Sequence, residues 1–272
     1  MKYRKLKDAE ITVLEKQGCS SSDWSGIQVS EVFSTDHVRN VRFHGKVRIG
    51  RLGSTIETGE GIPKASGLFN SDISRCMIGD DVLIENVRLL QNYRVSSGVI
   101  IENADEISVT GMTSFGNGTG VEVLNEGGGR ELLIFDRLTA QIAYILVCYR
   151  HDPELIRSLN AMIKEHVASR SSDTGSIGTG TQIRDAGRVS NVHIGEHVTI
   201  RGVSRLENGT IVSHQKAPVV IGDHVIARNF IVLSGSKLDA GAMLTHTFVG
   251  QGVEIGKQFS AEHSIFFANT EA

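Results

Sequence analysis

Ile194-Gly195-Glu196-His197-Val198-Thr199-Ile200 decides the fold. An aliphatic residue is followed directly by glycine, and the next aliphatic of the same kind comes six positions later. The aliphatic-glycine pair returns at Ile49-Gly50, Ile78-Gly79, Ile177-Gly178, Ile221-Gly222, Val249-Gly250 and Ile255-Gly256. Steps of six also join Ile78 to Ile84, Val95 to Ile101 to Ile107, Ile177 to Ile183, and Val249 to Ile255. In a strand, residues two apart face the same way. Pairs such as Val82/Ile84, Val198/Ile200 and Val253/Ile255 therefore aim two side chains inward. The glycine that follows has no Cβ and is expected at a tight corner. A six-residue unit is then one short strand plus one corner. Three units close a coil of about 18 residues, and coils stack at roughly 4.8 Å through main-chain hydrogen bonds. Such repeats signal a parallel β-helix, whereas a sandwich of alternating strands would need hairpin turns such as Asn-Gly between them.

Composition agrees with a narrow aliphatic interior. Hydrophobic residues make up 40% of the 272, aromatic residues only 6%, and thirty glycines stand against three prolines. A mean hydropathy of −0.07 suits a soluble chain with a substantial core. The formal charge of −3 gives no electrostatic reason to bind nucleic acid or an anionic membrane. Cys19, Cys76 and Cys148 are far apart, odd in number and form no Cys-x-x-Cys, which reads as reduced thiols in a cytoplasmic protein. The start Met1-Lys2-Tyr3-Arg4-Lys5 leads into a polar helix rather than a signal core, and no apolar run approaches the ~18 residues of a membrane span.

Four regions are expected. Residues 1–37 form a short N-terminal helix over 8–17, with Asp8 as cap and Gly18 as stop, and an end-seal built on Trp24 and Ile27. Residues 38–126 form a first β-helical block with an irregular excursion from Leu52 to Asn70. Residues 127–172 lose the period and read as an inserted helical hairpin. Asp136 could cap its first helix, and Asp152-Pro153 starts its second, with an aspartate N-cap and proline at the first helical position. Leu155, Ile156, Leu159, Met162, Ile163 and Val167 recur there at helical spacing, so the stripe should pack on a β-helix face or on a partner subunit. Residues 173–272 form the second block, broken by a loop near Glu207 to Pro218. The apolar Ile265-Phe266-Phe267, with no helix after it, suggests an end covered by another chain or the front part of a longer protein.

The repeat resembles the left-handed β-helix of the trimeric LpxA-like superfamily, the hexapeptide-repeat transferases. Left-handed coiling runs against the usual crossover preference, so the handedness is what the resemblance implies. Thr113-Ser-Phe-Gly-Asn-Gly-Thr119, Val123-Leu-Asn-Glu-Gly-Gly-Gly-Arg-Glu131, Tyr149-Arg-His-Asp-Pro153 and the segment from Phe248-Val-Gly-Gln-Gly252 to Phe266-Phe-Ala-Asn269 resemble, over nearly the whole chain, a family of long bacterial hexapeptide-repeat proteins whose domain has no assigned function.

The superfamily resemblance implies a homotrimer with a small-molecule ligand, acyl-CoA or a nucleotide-sugar, in clefts between subunits. It further implies acyl transfer, with a corner histidine as base and main-chain amides on the oxyanion. His246, in Thr245-His-Thr-Phe-Val-Gly250, resembles the His-x-x-x-aliphatic-Gly arrangement of the sugar acyltransferases but is one residue shorter. His214 sits in a loop beside Lys216, and Lys216 with Arg228 could meet a phosphate or pantetheine diphosphate. The catalytic expectation therefore rests on His246 and His214, and the ligand-binding one on Lys216 and Arg228. His193, His197 and His224 flank Ile-Gly corners and raise a metal site, but no convergence of three ligands is legible and no metal is assigned. Gly116-Asn-Gly-Thr-Gly120 lacks the Gly-Lys-Ser/Thr ending of a phosphate loop. Gly127-Gly-Gly-Arg130 could receive an anion through its amides or serve as a joint. The competing expectation is a non-catalytic scaffold or sugar-binding module.

Overall fold

The computed structural model describes residues 2–57, 61–125 and 127–272. The chain is mainly β. Among the described residues, twenty-one strands belong to one sheet whose pairings are parallel, except where Tyr3–Lys5 runs antiparallel to Ile27–Ser30. Two small antiparallel pairs stand apart, Thr55–Glu57 with Pro63–Ala65 and Thr119–Val121 with Leu132–Ile134. The first of these occupies the expected excursion, of which residues 58–60 lie outside the described residues. Glu126, the expected end of the first block, lies outside them too.

Pairing is in register, so like stacks on like. Ile183 sits beside Ile200, Ile221 beside Leu238, and Leu238 beside Ile255, all at most 1% exposed. Each such aliphatic, fully buried, contributes roughly 1.5–3 kcal/mol relative to exposure. The usual step is 17 residues rather than 18, as between Asn86 and Asn103. It widens to 21 between Asn208 and Asn229, where the chain loops out after Ile211, four residues later than the sequence suggested. It jumps to 82 between Asn103 and Asp185, where residues 110–173 leave the sheet and Val95 resumes beside Ile177.

The reason for 17 lies in the left-handed residues. Asn86, Asn92, Gly98 and Asn103 have positive φ, as do Asp185, Asn191, His197, Gly202 and Asn208. Their intervals are six, six and five, so one side of each period is a residue short. Asparagine, aspartate and histidine tolerate this conformation better than other non-glycine residues. Side-chain amides then bridge successive periods: Asn40 donates to Asn70 at 3.1 Å, Asn70 to Asn86 at 3.1 Å, Asn86 to Asn103 at 3.0 Å and Asn103 to Asp185 at 3.1 Å.

The glycine of the aliphatic-glycine pair is therefore not the corner residue. At Gly178 the backbone is not left-handed, and a Cβ would meet the carbonyl of Gly195 and the amide nitrogen of Glu196 at 2.5 Å. The close approach of the next period's main chain, just past the strand that ends at Ile194, demands glycine there. Gly222 has more room, its nearest neighbour being the Leu238 oxygen at 3.3 Å.

Helix α1 (Asp8–Lys16) begins at Lys7 rather than with an Asp8 cap. Glu10 accepts the Lys7 amide at 2.8 Å and two bonds from Arg4, which serves the same end as a side-chain cap. Trp24 packs on the core beside Phe43, at 6.2 Å between rings. Within the insertion, helix α3 (Pro153–Arg170) starts as expected, with Asp152 accepting the Leu155 amide at 3.0 Å. Helix α2 (Ala140–Cys148) is capped by Thr139 and not by Asp136.

The insertion has an apolar core of its own. Val121, Ile134, Leu138, Leu146 and Ile163 cluster with Ile231, Leu233 and Phe248 from the outer side of the sheet. Ile156, Leu159, Ile163 and Val167 of the hairpin stripe thus pack on this core, while Leu155 and Met162 stay exposed. Ile265 and Phe267 join that second core, while Phe266 packs on the first.

Candidate functional site

One outward row of the sheet builds the site. Alternation buries Val47 and Ile49 and turns Arg48 outward. Register then lines up Gln28, Arg48, Met77, Arg94 and Ser176, and next to them His193 and Thr210. A groove of about 760 Å³ runs over the first part of this row, with Lys46, Arg75 and Asn92 on its flank. A pocket of about 240 Å³ follows over Ser176, His193 and Thr210, and the two share Arg94 and Thr174.

The groove is basic. Lys46, Arg48, Arg75 and Arg94 line it against one carboxylate, that of Asp173. Arg48 donates to Gln28 at 2.9 Å and lies over the Tyr3 ring, and Arg75 donates to Asn92 at 2.9 Å. Among the described residues, none of the four cations pairs with a carboxylate. A volume in the range of small-molecule sites, lined by unpaired cations, suits a phosphate-bearing ligand.

The pocket is roofed by the insertion. Asp136, its side chain 6% exposed, has Oδ1 2.6 Å from His166 Nε2 and Oδ2 2.7 Å from Arg170. Both partners lie on α3, one turn apart. The Asp136 amide donates to Asn117 Oδ1 at 2.8 Å, and Asn117 Nδ2 donates to Thr210 Oγ1 at 3.0 Å, so roof and floor are bonded together. On the floor, Ser176 Oγ is 2.9 Å from His193 Nδ1, and the Phe115 ring tilts over the imidazole at 6.0 Å. Burial lowers the His193 pKa, with Arg170 adding to the effect and Asp136 opposing it. Its neutral form therefore prevails near pH 7. A hydroxyl and a neutral imidazole within hydrogen-bond reach are two parts of a nucleophile-base pair. No carboxylate bonds to His193 among the described residues, so the third, orienting part is lacking and a role as proton acceptor fits better.

The residues singled out from sequence lie elsewhere. His246 occupies a left-handed position, with Nε2 3.1 Å from the Asn229 amide and its ring stacked on His263 at 4.6 Å. Among the described residues its buried Nδ1 has no partner, and burial, then His263, lowers its pKa. His214 is exposed in its loop, 3.3 Å from Glu196, and Lys216 is exposed nearby. Arg228 reaches Glu207 at 3.5 Å and neighbours Thr245, not Lys216. The structure thus does not bring His246 and His214 into one cavity. His193, His197 and His224 do not converge: His197 and His224 hold separate left-handed positions, and His193 faces the pocket. Among the described residues, no three His, Cys, Asp or Glu side chains are placed to hold a metal ion. Gly116 and Asn117 fasten the insertion to the sheet, the Gly116 amide donating to Asn208 at 2.8 Å.

Comparison with known proteins adds kinship without chemistry. A family model described as "Domain of unknown function (DUF4954)" matches residues 3–272. An "Uncharacterized protein" of Treponema pallidum (strain Nichols) is 25% identical over 247 residues, covering 87% of this chain. The match covers 34% of that relative, so this chain spans about a third of its length.

Proposed function

The chain belongs to the DUF4954 family, and on that premise we propose that it is a transferase-like protein of the hexapeptide-repeat class. In this reading the parallel sheet with its 17-residue step is a left-handed β-helix of the trimeric LpxA-like kind, working as a cytoplasmic homotrimer. The left-handed residues at intervals of five and six support the coiling. Among the described residues, no helix is long and apolar enough to cross a membrane.

One observation carries the functional reading: His193 opens on a pocket continuous with a groove of four cations that, among the described residues, no carboxylate pairs. The groove takes the phosphates of an acyl-CoA or nucleotide-sugar, and the pocket takes the acceptor. With Ser176 Oγ accepting from Nδ1–H, the His193 Nε2 lone pair removes the proton of an acceptor hydroxyl or amine. That oxygen or nitrogen bonds to the thioester carbonyl carbon, the carbon–sulfur bond breaks, and the imidazolium returns the proton to the leaving thiolate. This geometry favours His193 over His246 and His214 as base, and Arg94 with Arg75 over Lys216 with Arg228 as anion ligands.

Calorimetric titration of the intact chain with coenzyme A and with a uridine diphosphate sugar tests the reading. Saturable binding that weakens at least tenfold in Arg94→Gln, the loss of one charge-assisted hydrogen bond of about 1.5–3 kcal/mol, is expected. His193→Gln should retain binding and lose acyl transfer. Failure of both ligands to bind sinks the reading. The alternative is a scaffold, favoured by the exposed apolar face of Tyr144, Ile145, Tyr149 and Leu155 on the hairpin.

A further inference from the structure

A second basic cavity lies within the insertion, away from the groove and pocket. It encloses about 380 Å³ between the glycine-rich segment after Glu126 and the helical hairpin. Arg130, Arg150 and Arg157 surround it, and Leu132, Leu146 and Ile156 supply apolar surface. Leu132 and Leu146 are buried and belong to the second core, so that surface is fixed rather than improvised.

The guanidinium of Arg150 is held in place from two sides. Its Nε donates to the Val147 carbonyl at 2.9 Å and its Nη2 to the Arg130 carbonyl at 2.9 Å. Its Nη1 is buried with no acceptor among the described residues. Neither carbonyl carries a formal charge, so the guanidinium is met only at longer range by Glu131, whose carboxyl pKa it helps to lower, and an orphaned buried donor on a cation is costly. Arg157 spends its Nε on the Pro153 carbonyl, and among the described residues none of the three arginines has a carboxylate partner. Among the described residues one carboxylate, that of Glu131, touches the cavity, and it is turned to the Gly129 amide at 2.7 Å. Three guanidinium charges against one carboxylate leave a surplus of two.

We infer that this cavity binds a phosphate monoester with an apolar body, the phosphate meeting Arg130, Arg150 and Arg157 and the apolar part resting on Leu132, Leu146 and Ile156. A phosphate monoester carries about −1.5 to −2 at neutral pH, matching the surplus. Its oxygens suit the planar forks of arginine. Inorganic phosphate would satisfy the charge and leave the apolar surface uncovered. The inference is independent of the transferase reading, because it uses none of the groove residues.

The probe is phenyl phosphate, titrated calorimetrically into the intact chain carrying Arg94→Gln, so that binding in the groove is suppressed. One-to-one binding is expected, tighter than that of inorganic phosphate or of benzyl alcohol. Arg130→Gln and Arg157→Gln, both at exposed positions, should each weaken it by about tenfold, a loss of one charge-assisted contact, with unchanged thermal melting. Arg157→Lys should restore part of the loss. Equal affinity in the Arg130→Gln/Arg157→Gln double variant overturns the assignment, as does an absence of saturable heat into the millimolar range. Should inorganic phosphate bind as tightly as phenyl phosphate, the apolar half of the inference is wrong.

Discussion

Gly178→Ala and Gly222→Ala are the same chemical change at two equivalent points of the repeat, and the structure separates them. Neither backbone is left-handed, so alanine meets no torsional penalty at either. At Gly178 the new methyl would sit 2.5 Å from three main-chain atoms of Gly195 and Glu196. That main chain lies just past the strand ending at Ile194 and is bonded to the Gly178 amide, so neighbouring rows must part. Overpacking of this kind costs about 1–3 kcal/mol. At Gly222 the nearest atoms are 3.3 and 3.4 Å away and a shift of a few tenths of an ångström suffices. Alanine also narrows the unfolded ensemble, a gain of about 0.4–1 kcal/mol at both sites. The net expectation is a loss of about 1–2 kcal/mol for Gly178→Ala and near zero or a small gain for Gly222→Ala. At roughly 2–4 °C per kcal/mol for a chain of this size, the two melting points should differ by about 4–8 °C. Urea unfolding followed by circular dichroism gives the same comparison through the midpoint at constant slope. Coincident midpoints would refute the claim that close main-chain approach, rather than a left-handed backbone, fixes the glycine at 178.

Asp136→Asn should destabilise the chain by about 2 kcal/mol, less than a fully buried pair because Arg170 is partly exposed; a double-mutant cycle with Arg170→Met that returns no coupling would remove the ion pair from the account. Because the folded His193 pKa lies below its ordinary value, the unfolded chain binds that proton more readily. Its contribution to stability is therefore present above about pH 6.5 and lost as pH falls toward the folded pKa, and His193→Gln should flatten that part of the stability–pH curve. Iodoacetamide should label Cys148 quickly in the folded chain and Cys76 only on unfolding, since Cys148 is exposed while burial pushes the Cys76 thiol up to about 12; mass spectrometry of the labelled peptides decides it. Native mass spectrometry should report a trimer, and a monomer across the working concentration range would count against a shared-cleft mechanism.

The aliphatic-glycine pairs made the sheet's repeat legible, because in-register stacking needs the same side chain at the same phase in every period. The true step of 17 was not legible, since the shortened side is marked only by scattered asparagine, aspartate and histidine residues. Asp152-Pro153 announced α3 through purely local chemistry, and the same local logic failed at Asp136, whose carboxylate reaches His166 and Arg170 thirty or more residues onward. The site itself is long-range throughout. Arg94 and Ser176 are neighbours only because residues 110–173 leave the sheet and return in register. His246 drew attention through its local resemblance, yet its ring is occupied in stacking and amide bonding along the left-handed row.

The long excursion between Asn103 and Asp185 also sets an order for folding. An ordinary step closes a loop of 17 residues, while this one closes 82. With loop entropy growing as (3/2)RT ln n, the long closure costs about 1.4 kcal/mol more, roughly tenfold in closing probability. The insertion cannot collapse first on its own, because Ile231, Leu233 and Phe248 of the later strands complete its core. The least costly route therefore zips the strands from Gly175 onward through short closures and lays the hairpin on them. Only then do the earlier strands, from Gly67 to Ser108, join across the gap, so that the basic groove and the histidine pocket meet at the last seam to close.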